Sequence, residues 1–228
     1  MTPPRVLILD LSLDRDLYRP TGHWRALLGG VESVSIHLPS GEAVPLLTAV
    51  SHVILTGSEA SIVEPRPWFA PAEAVVHEAV RRGLPLLGSC FGHQLIVRAL
   101  VGPAHVRRAA TPEFGWYPVR PAPGEHLLRR GGDPVWMFAC HFDEVCDLPA
   151  PWQVLGATDA CAIHVARLGA SPVIGVQAHP EIPPPEAREL LLGFAERLPP
   201  VRPAVDRALA EPPRDSGFGQ VLVDAFLS

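Results

Sequence analysis

A short apolar run leads without interruption into a cysteine and then into a helical pattern, and this limits the folds open to the chain. The run covers residues 84–88, Cys90 follows, and apolar positions at helical spacing continue to Gly102. Gly88 and Gly92 lie two positions on either side of Cys90, where a sharp strand-to-helix turn leaves no room for a Cβ atom. A buried strand that ends in such a turn is typical of an α/β fold with a parallel sheet.

Further short apolar runs alternate with helical patterns over the 228 residues. They predict an α/β protein in three layers, with a mostly parallel central sheet, flanking helices and a smaller antiparallel region. Further strands are predicted at 6–10, 34–38, 52–56, 114–119, 135–140, 152–157, 160–168 and 173–177. Further helices are predicted at 71–82, 186–198 and 217–227. We expect a single domain over 1–228, with 199–228 as a surface connector plus a C-terminal helix.

The net charge and the residue types argue against a protein that binds nucleic acid or spans a membrane. The net charge is -5, and all 19 cationic side chains are arginine, so no basic stripe exists to bind phosphates. Without lysine, the chain has neither a P-loop lysine nor a Schiff-base lysine. The sequence shows no signal peptide and no apolar run of membrane-spanning length. We therefore expect a cytoplasmic protein whose four cysteines are reduced thiols.

The turn at Cys90 resembles a nucleophile elbow in which cysteine replaces serine. The helix that begins just after Cys90 directs its backbone N–H groups and positive dipole end at the sulfur, which favours the thiolate. The N–H of Phe91 is then placed to bind an oxyanion. The alternative is that Cys90 is a small buried hydrophobic residue, as most free cysteines are.

A second motif follows the predicted strand at 173–177. His179 and Glu181 are two residues apart in extended chain, so both side chains project to the same side and can touch. Pro180 between them keeps the backbone extended. A carboxylate beside a histidine fixes the imidazole tautomer and stabilises its protonated form, which a base for a cysteine requires. The alternative is a capping interaction before the next helix.

A third motif, Thr-Gly-Ser-Glu at 56–59, ends the predicted strand at 52–56. The backbone N–H groups of Gly57 and Ser58 in this small-residue turn can complete an oxyanion hole. By itself the turn is better interpreted as an ordinary exit from a strand.

Together these motifs resemble the class I glutamine amidotransferase domain, whose fold is flavodoxin-like. The resemblance rests on Gly-Ser-Cys-Phe-Gly-His-Gln at 88–94 and Gln-Ala-His-Pro-Glu at 177–181, and extends to Glu-Phe-Gly-Trp at 113–116 and His-Phe-Asp-Glu-Val at 141–145. It covers most of the chain, from the first strand to Glu181. It implies hydrolysis of the γ-amide of glutamine, or of a γ-glutamyl compound, through a cysteine thioester.

The resemblance also implies a role for each matching residue. These roles are nucleophile for Cys90, general base and acid for His179, orienting carboxylate for Glu181, oxyanion N–H groups for Ser58 and Phe91, and contacts to the glutamyl group for Gln94 and the backbone of Cys140 and His141. The sequence departs from the family at 56–59, where relatives usually carry Ser-Gly-Gly-Pro.

Several alternatives remain at this level. The protein is either a glutaminase subunit that supplies ammonia to a separate synthetase or a stand-alone γ-glutamyl hydrolase. An α/β-hydrolase with a cysteine nucleophile has the same elbow, but there the acid precedes the histidine. A non-catalytic binding module of the same fold is the third class.

We expect no cofactor and no metal. Cys140, His141 and Cys146 are close enough in sequence to suggest zinc, but strand alternation sends Cys140 and His141 to opposite faces. Cys161 and His164 fall in an apolar strand and are expected to be core and edge residues.

Overall fold

The chain folds around one mixed β-sheet with helices on both faces. The computed structural model describes residues 4–228. Its strands are β1 (Arg5–Asp10), β2 (Glu32–His37), β3 (His52–Leu55), β4 (Leu86–Ser89), β5 (Val106–Pro121), β6 (Val135–Val145), β7 (Trp152–Ala157), β8 (Val165–Leu168) and β9 (Val173–Val176). Its helices are α1 (Pro20–Leu28), α2 (Phe69–Arg81), α3 (Phe91–Leu100), α4 (Pro184–Arg197), α5 (Arg202–Ala210) and α6 (Phe218–Leu227).

The sheet has a parallel half and an antiparallel half. Within residues 4–228 the strand order is β2-β1-β3-β4-β9-β8-β7-β5-β6. The strands from β2 to β9 in this order pair in parallel, and those from β9 to β6 pair antiparallel. This confirms the predicted α/β class, with a parallel sheet extended by an antiparallel region.

Alternating side chains of the central strands supply two separate cores. On β1, Leu7 and Leu9 pack in the cluster that contains residues of α2 and α3. Val6 and Ile8 point to the opposite face, in the cluster that contains Trp24 of α1 and residues of α6. The helices therefore form two outer layers around the sheet, as the sequence predicts for a three-layer fold. In the part of the chain that the structure describes, no helix is both long enough and apolar enough to cross a membrane.

The prediction of a surface connector at 199–216 is wrong for its first half. A 3-10 turn at Pro199–Val201 leads into α5, and Val205 is fully buried against residues of β5, β6 and α4. The prolines that suggested a loop lie in the first turns of these elements. At such positions the missing N–H costs nothing, because the first N–H groups of a helix have no partner within it.

Helix α1 is also absent from the sequence predictions. It begins with Pro20 and ends before Gly29, which adopts the left-handed conformation of a C-cap. Its buried positions are Pro20, Trp24 and Leu28, each four residues apart. Gly22 and His23 interrupt the apolar pattern, so the helix depends on its packing rather than on its local sequence.

The turn between β4 and α3 depends on two close backbone contacts. A Cβ atom on Gly92 would lie 2.2 Å from the backbone oxygen of Leu55 on β3. A Cβ atom on Gly88 would lie 2.6 Å from the backbone carbon of Gly92. The helix therefore starts in direct contact with the sheet.

We expect Gly92→Ala to lower the free energy of unfolding by about 1–3 kcal/mol, because the backbone must move to admit the methyl group. The matched control is Gly22→Ala in α1, where a Cβ atom would meet nothing within 4 Å. That change should stabilise the protein by about 0.5–1 kcal/mol, since alanine favours a helix over glycine. Urea denaturation of both variants measures the difference. If the two substitutions changed the free energy of unfolding equally, the close contact between Gly92 and the backbone of Leu55 would be contradicted.

Candidate active site

Cys90 lies at the junction of β4 and α3 in a strained backbone conformation. Its φ is 49° and its ψ is -108°, a region that side chains other than glycine rarely adopt. The N–H of Cys90 donates to the carbonyl oxygen of Val176 on β9 at 2.8 Å. Since Phe91 begins the helix, the sulfur lies at the helix N-terminus, as predicted.

His179 and Glu181 are in direct contact beside this junction. Nδ1 of His179 lies 2.9 Å from Oε1 of Glu181, and both side chains are buried. A carboxylate only accepts, so Nδ1 carries the hydrogen and Nε2 is the nitrogen left free for a second partner. The backbone N–H of His179 donates to the carbonyl oxygen of Phe138 at 2.8 Å, which fixes this segment to β6.

The charges of the three side chains support one another. Burial alone would lower the pKa of His179, but the negative charges of Cys90 and Glu181, and hydrogen bonds to both, raise it to about 10. Burial also opposes ionisation of Glu181, yet the positive charge of His179 holds the pKa of Glu181 below its usual value. The site therefore favours the imidazolium form of His179.

Tyr18 is a member of this group that the sequence analysis does not identify. Its hydroxyl donates to Oε1 of Glu181 at 2.8 Å and lies 3.3 Å from Nδ1 of His179. Burial, together with the negative charge of Glu181, raises the pKa of Tyr18 well above its usual range, so the hydroxyl keeps its proton. Tyr18 precedes α1 in an irregular segment, where no sequence pattern marks it.

A small cavity of about 110 Å³ opens at Cys90. Five other residues predicted for the site line it: Ser58, Phe91, Gln94, Cys140 and His141. The carbonyl oxygen of Cys140 lies 3.7 Å from Sγ of Cys90. Gly57 lies against the imidazole of His179. A Cβ atom added at Gly57 would be only 2.5 Å from Cε1 of that ring.

Gln94 has partners inside the protein. Its Nε2 donates to the carbonyl oxygen of Asp143 at 2.7 Å and to Oε1 of Gln177 at 3.2 Å. Nε2 of Gln177 in turn lies 3.7 Å from Sγ of Cys90. The two amides therefore connect the cavity wall to the sulfur.

The turn at 56–59 is held by its own side chains. The hydroxyl of Thr56 accepts from the N–H of Leu11 and donates to the carbonyl oxygen of Gly57, both at 2.9 Å. Across a trans peptide the Ser58 N–H points opposite to the Gly57 carbonyl, so fixing the carbonyl also fixes the N–H. The carboxylate of Glu59 accepts from the N–H of Leu13 at 2.7 Å.

Charged groups of both signs border the cavity. Arg108 and the carboxylates of Glu59 and Asp143 are among its lining residues. Nη1 of Arg108 lies 3.2 Å from Oδ1 of Asp143. Asp143 also accepts from the hydroxyl of Ser61 and the N–H of Ile62, which attaches the 58–62 segment to β6.

Comparison with known proteins agrees with this geometry. The family model for class I glutamine amidotransferases matches residues 34–195. The chain therefore belongs to the class I glutamine amidotransferase family. The α/β-hydrolase alternative is wrong.

Individual relatives show how far the similarity extends. The chain is 34% identical to the glutamine-hydrolyzing GMP synthase of Symbiobacterium thermophilum over 183 residues, which cover 76% of this chain and 34% of that protein. It thus spans only about a third of that relative's length. A second relative is one of the subunits of the glutamine-hydrolyzing GMP synthase of Methanothermobacter thermautotrophicus. The identity there is 29% over 147 residues, which cover 64% of this chain and 77% of that relative.

Solved structures show the same fold. A glutamine amidotransferase from Thermotoga maritima superimposes with a TM-score of 0.78 at 21% sequence identity, over 99% of this chain and 97% of that one. A glutamine amidotransferase from Methylobacillus flagellatus gives a TM-score of 0.76 at 18% identity, over 98% and 94% of the two chains. The C-terminal helices α5 and α6 therefore fall within the superimposed region.

We expect the imidazole of His179 to stay protonated up to about pH 10, and Glu181→Gln to lower this pKa because one of the two attracting charges is removed. Histidine NMR titration measures both values. His52 is an internal control, since burial lowers its pKa and the substitution is remote from it. The pKa of His179 is higher in the folded state than its unfolded value of 6.5. Protonated His179 therefore adds to the free energy of unfolding. This contribution is complete below pH 6.5 and is lost as the pH rises through the folded-state pKa. An unchanged His179 titration in Glu181→Gln would contradict the charge pairing.

Proposed function

We propose that this chain hydrolyses the γ-amide of glutamine, or of a γ-glutamyl compound, with Cys90 as the nucleophile. The observation that carries the proposal is the meeting of a cysteine at a strained helix N-terminus with a buried histidine–carboxylate pair, at the edge of a small cavity. Family membership supports amide hydrolysis, and the geometry supplies a role for each group.

In the first half of the reaction, Sγ of Cys90 attacks the γ-carbonyl carbon as the thiolate. The oxyanion that forms is bound by the N–H groups of Phe91 and Ser58. His179 gives its Nε2 proton to the leaving nitrogen, the C–N bond breaks, and ammonia or an amine departs. Glu181 keeps the imidazole oriented through Nδ1 and stabilises its charge.

In the second half, water attacks the thioester carbon. His179, now neutral, accepts a proton from this water at Nε2, and the same N–H groups bind the second oxyanion. The C–S bond breaks, glutamate leaves, and Cys90 returns to the thiolate facing the imidazolium. Tyr18 acts as a positioning residue, because its hydroxyl contacts Glu181 and no reacting atom.

The cavity lining supports a glutamyl group with free charged ends. Arg108 would bind an α-carboxylate, and Glu59 and Asp143 would bind an α-ammonium group, since all three side chains line the cavity. Gln94, Cys140 and His141 also line the cavity beside Cys90. A non-catalytic binding module would need none of the histidine–carboxylate geometry.

We expect Cys90→Ala to abolish glutamate release from glutamine and from γ-glutamyl amines, a loss of at least about 10⁴-fold in kcat, because the thioester cannot form. Labelled glutamate release by the purified chain measures turnover, and a thermal melt checks that the variant is folded. The matched control is Cys146→Ala, since the Cys146 thiol contacts Ala104, away from the cavity. Activity retained by Cys90→Ala would disprove the nucleophile assignment.

We also propose that the chain turns over substrate without a partner. The hydrogen bonds of Thr56 and Glu59 fix the 56–59 turn within this chain alone, so the second oxyanion donor does not depend on contact with another protein. The second candidate is ammonia supply to a separate synthetase, which is supported by the relative that forms part of a multi-subunit GMP synthase. Activity that appears only after a synthetase is added would favour this second candidate.

We expect Thr56→Val to lower kcat by about 10-fold or more, towards the roughly 10²–10³-fold loss that follows removal of an oxyanion donor. The valine cannot donate to Gly57, so the Ser58 N–H is no longer fixed. KM should change little, because the substrate-binding wall is intact. Thr56→Ser keeps the hydroxyl and should keep most of the activity. If valine and serine behaved alike in steady-state kinetics, the turn would not position the donor through this hydroxyl.

A further inference from the structure

Behind the cavity wall lies a buried cluster of metal-ligating side chains that the proposed reaction does not use. Glu113 on β5 and His141 on β6 are direct cross-strand partners. Cys161 and His164 approach from the segment that precedes and enters β8. All four side chains are buried. The ligand atoms of Glu113, His141 and Cys161 lie within 4.8 Å of one another.

The contacts of His141 direct its Nε2 at Glu113. Nδ1 of His141 lies 3.0 Å from the carbonyl oxygen of Asp143, which can only accept, so Nδ1 carries a hydrogen. Nε2 lies 2.9 Å from Oε2 of Glu113. Nε2 is therefore the ring nitrogen that is free to bind a metal ion together with Oε2 of Glu113.

The surroundings of Glu113 match those of a ligating carboxylate. The hydroxyl of Thr158 donates to Oε1 of Glu113 at 2.6 Å and accepts from the N–H of Cys161 at 2.9 Å. This leaves Oε2 as the oxygen that faces the cluster. Outer contacts of this kind, from a hydroxyl to the carboxylate and from Nδ1 of histidine to a backbone carbonyl, orient the ligands of metal sites.

His164 provides the second, independent observation. Its side chain is fully buried, and neither ring nitrogen has a hydrogen-bond partner. Nε2 of His164 lies 3.5 Å from Oε2 of Glu113. A buried imidazole without partners is costly, and a metal ion would use one of its nitrogens.

We propose that Glu113, His141 and Cys161 bind a zinc ion, and that His164, whose Nε2 lies 3.5 Å from Oε2 of Glu113, takes the fourth position once its ring turns towards the ion. Two imidazoles, one thiolate and one carboxylate are ligand types that zinc takes in tetrahedral geometry. The two negative ligands balance the charge of Zn²⁺, so the buried site is neutral overall. With metal–ligand distances of about 2.0–2.3 Å, the Glu113–His141 pair opens by a few tenths of an ångström. With all four positions taken by protein, the ion has a structural role.

The experiment is metal analysis of the full chain, purified without chelators and again after refolding with ZnSO₄. We expect one zinc ion per chain, removed only slowly by a chelator. After substitution with Co²⁺, a thiolate-to-cobalt absorption band should appear in the near ultraviolet. Cys161→Ala should abolish this band and weaken zinc binding by at least about 100-fold.

Cys146→Ala is the matched control, because it removes a buried thiol outside the cluster, and it should keep both the zinc and the cobalt band. Thr158→Val keeps all four ligands and should weaken zinc binding by about 10–100-fold, since the carboxylate loses its outer contact. Absence of stoichiometric zinc from the wild-type chain under both preparations would overturn the proposal, whether or not the variants fold. A cobalt band that persists in Cys161→Ala would overturn the ligand assignment.

Discussion

The close approach of the β4–α3 turn to β3 determines the geometry of the whole site. At Gly92 the helix backbone lies so near the Leu55 carbonyl that no side chain fits between them. Cys90 is held in its strained conformation by this contact and by the hydrogen bond from its N–H to Val176. Such a conformation costs on the order of 1–3 kcal/mol and persists only where its surroundings impose it. Packing of β3, β4 and β9 therefore sets the direction of the sulfur and of the first N–H groups of α3.

Local spacing explains why much of this could be predicted from the sequence. The glycines around Cys90 and the two-residue separation of His179 and Glu181 are short-range patterns with direct geometric consequences, and the structure places these side chains together. The alternation of apolar runs with helical patterns likewise predicted the α/β class. Each of these features depends on residues within a few positions of one another.

The features that were missed depend on contacts between distant segments. Tyr18 reaches Glu181 from an irregular segment, 163 positions earlier in the chain. Helix α5 is stabilised by burial of Val205 against other elements, while its prolines suggest a loop. The residues of the Glu113 cluster come from three segments, so their closeness has no counterpart in sequence spacing. His141 lines the cavity, but its ring points to the far side of the wall.

The segment between β1 and α1 contacts both the turn at 56–59 and the Glu181 carboxylate. The N–H of Leu13 binds Glu59 beside the cavity, and Tyr18 binds Glu181 behind the imidazole. Such connecting segments open locally more often than a sheet unfolds. Each opening breaks the hydrogen bonds from this segment to the 56–59 turn and to the Glu181 carboxylate together, which lowers the fraction of catalytically competent molecules. Heating would therefore inactivate the protein before it melts the sheet.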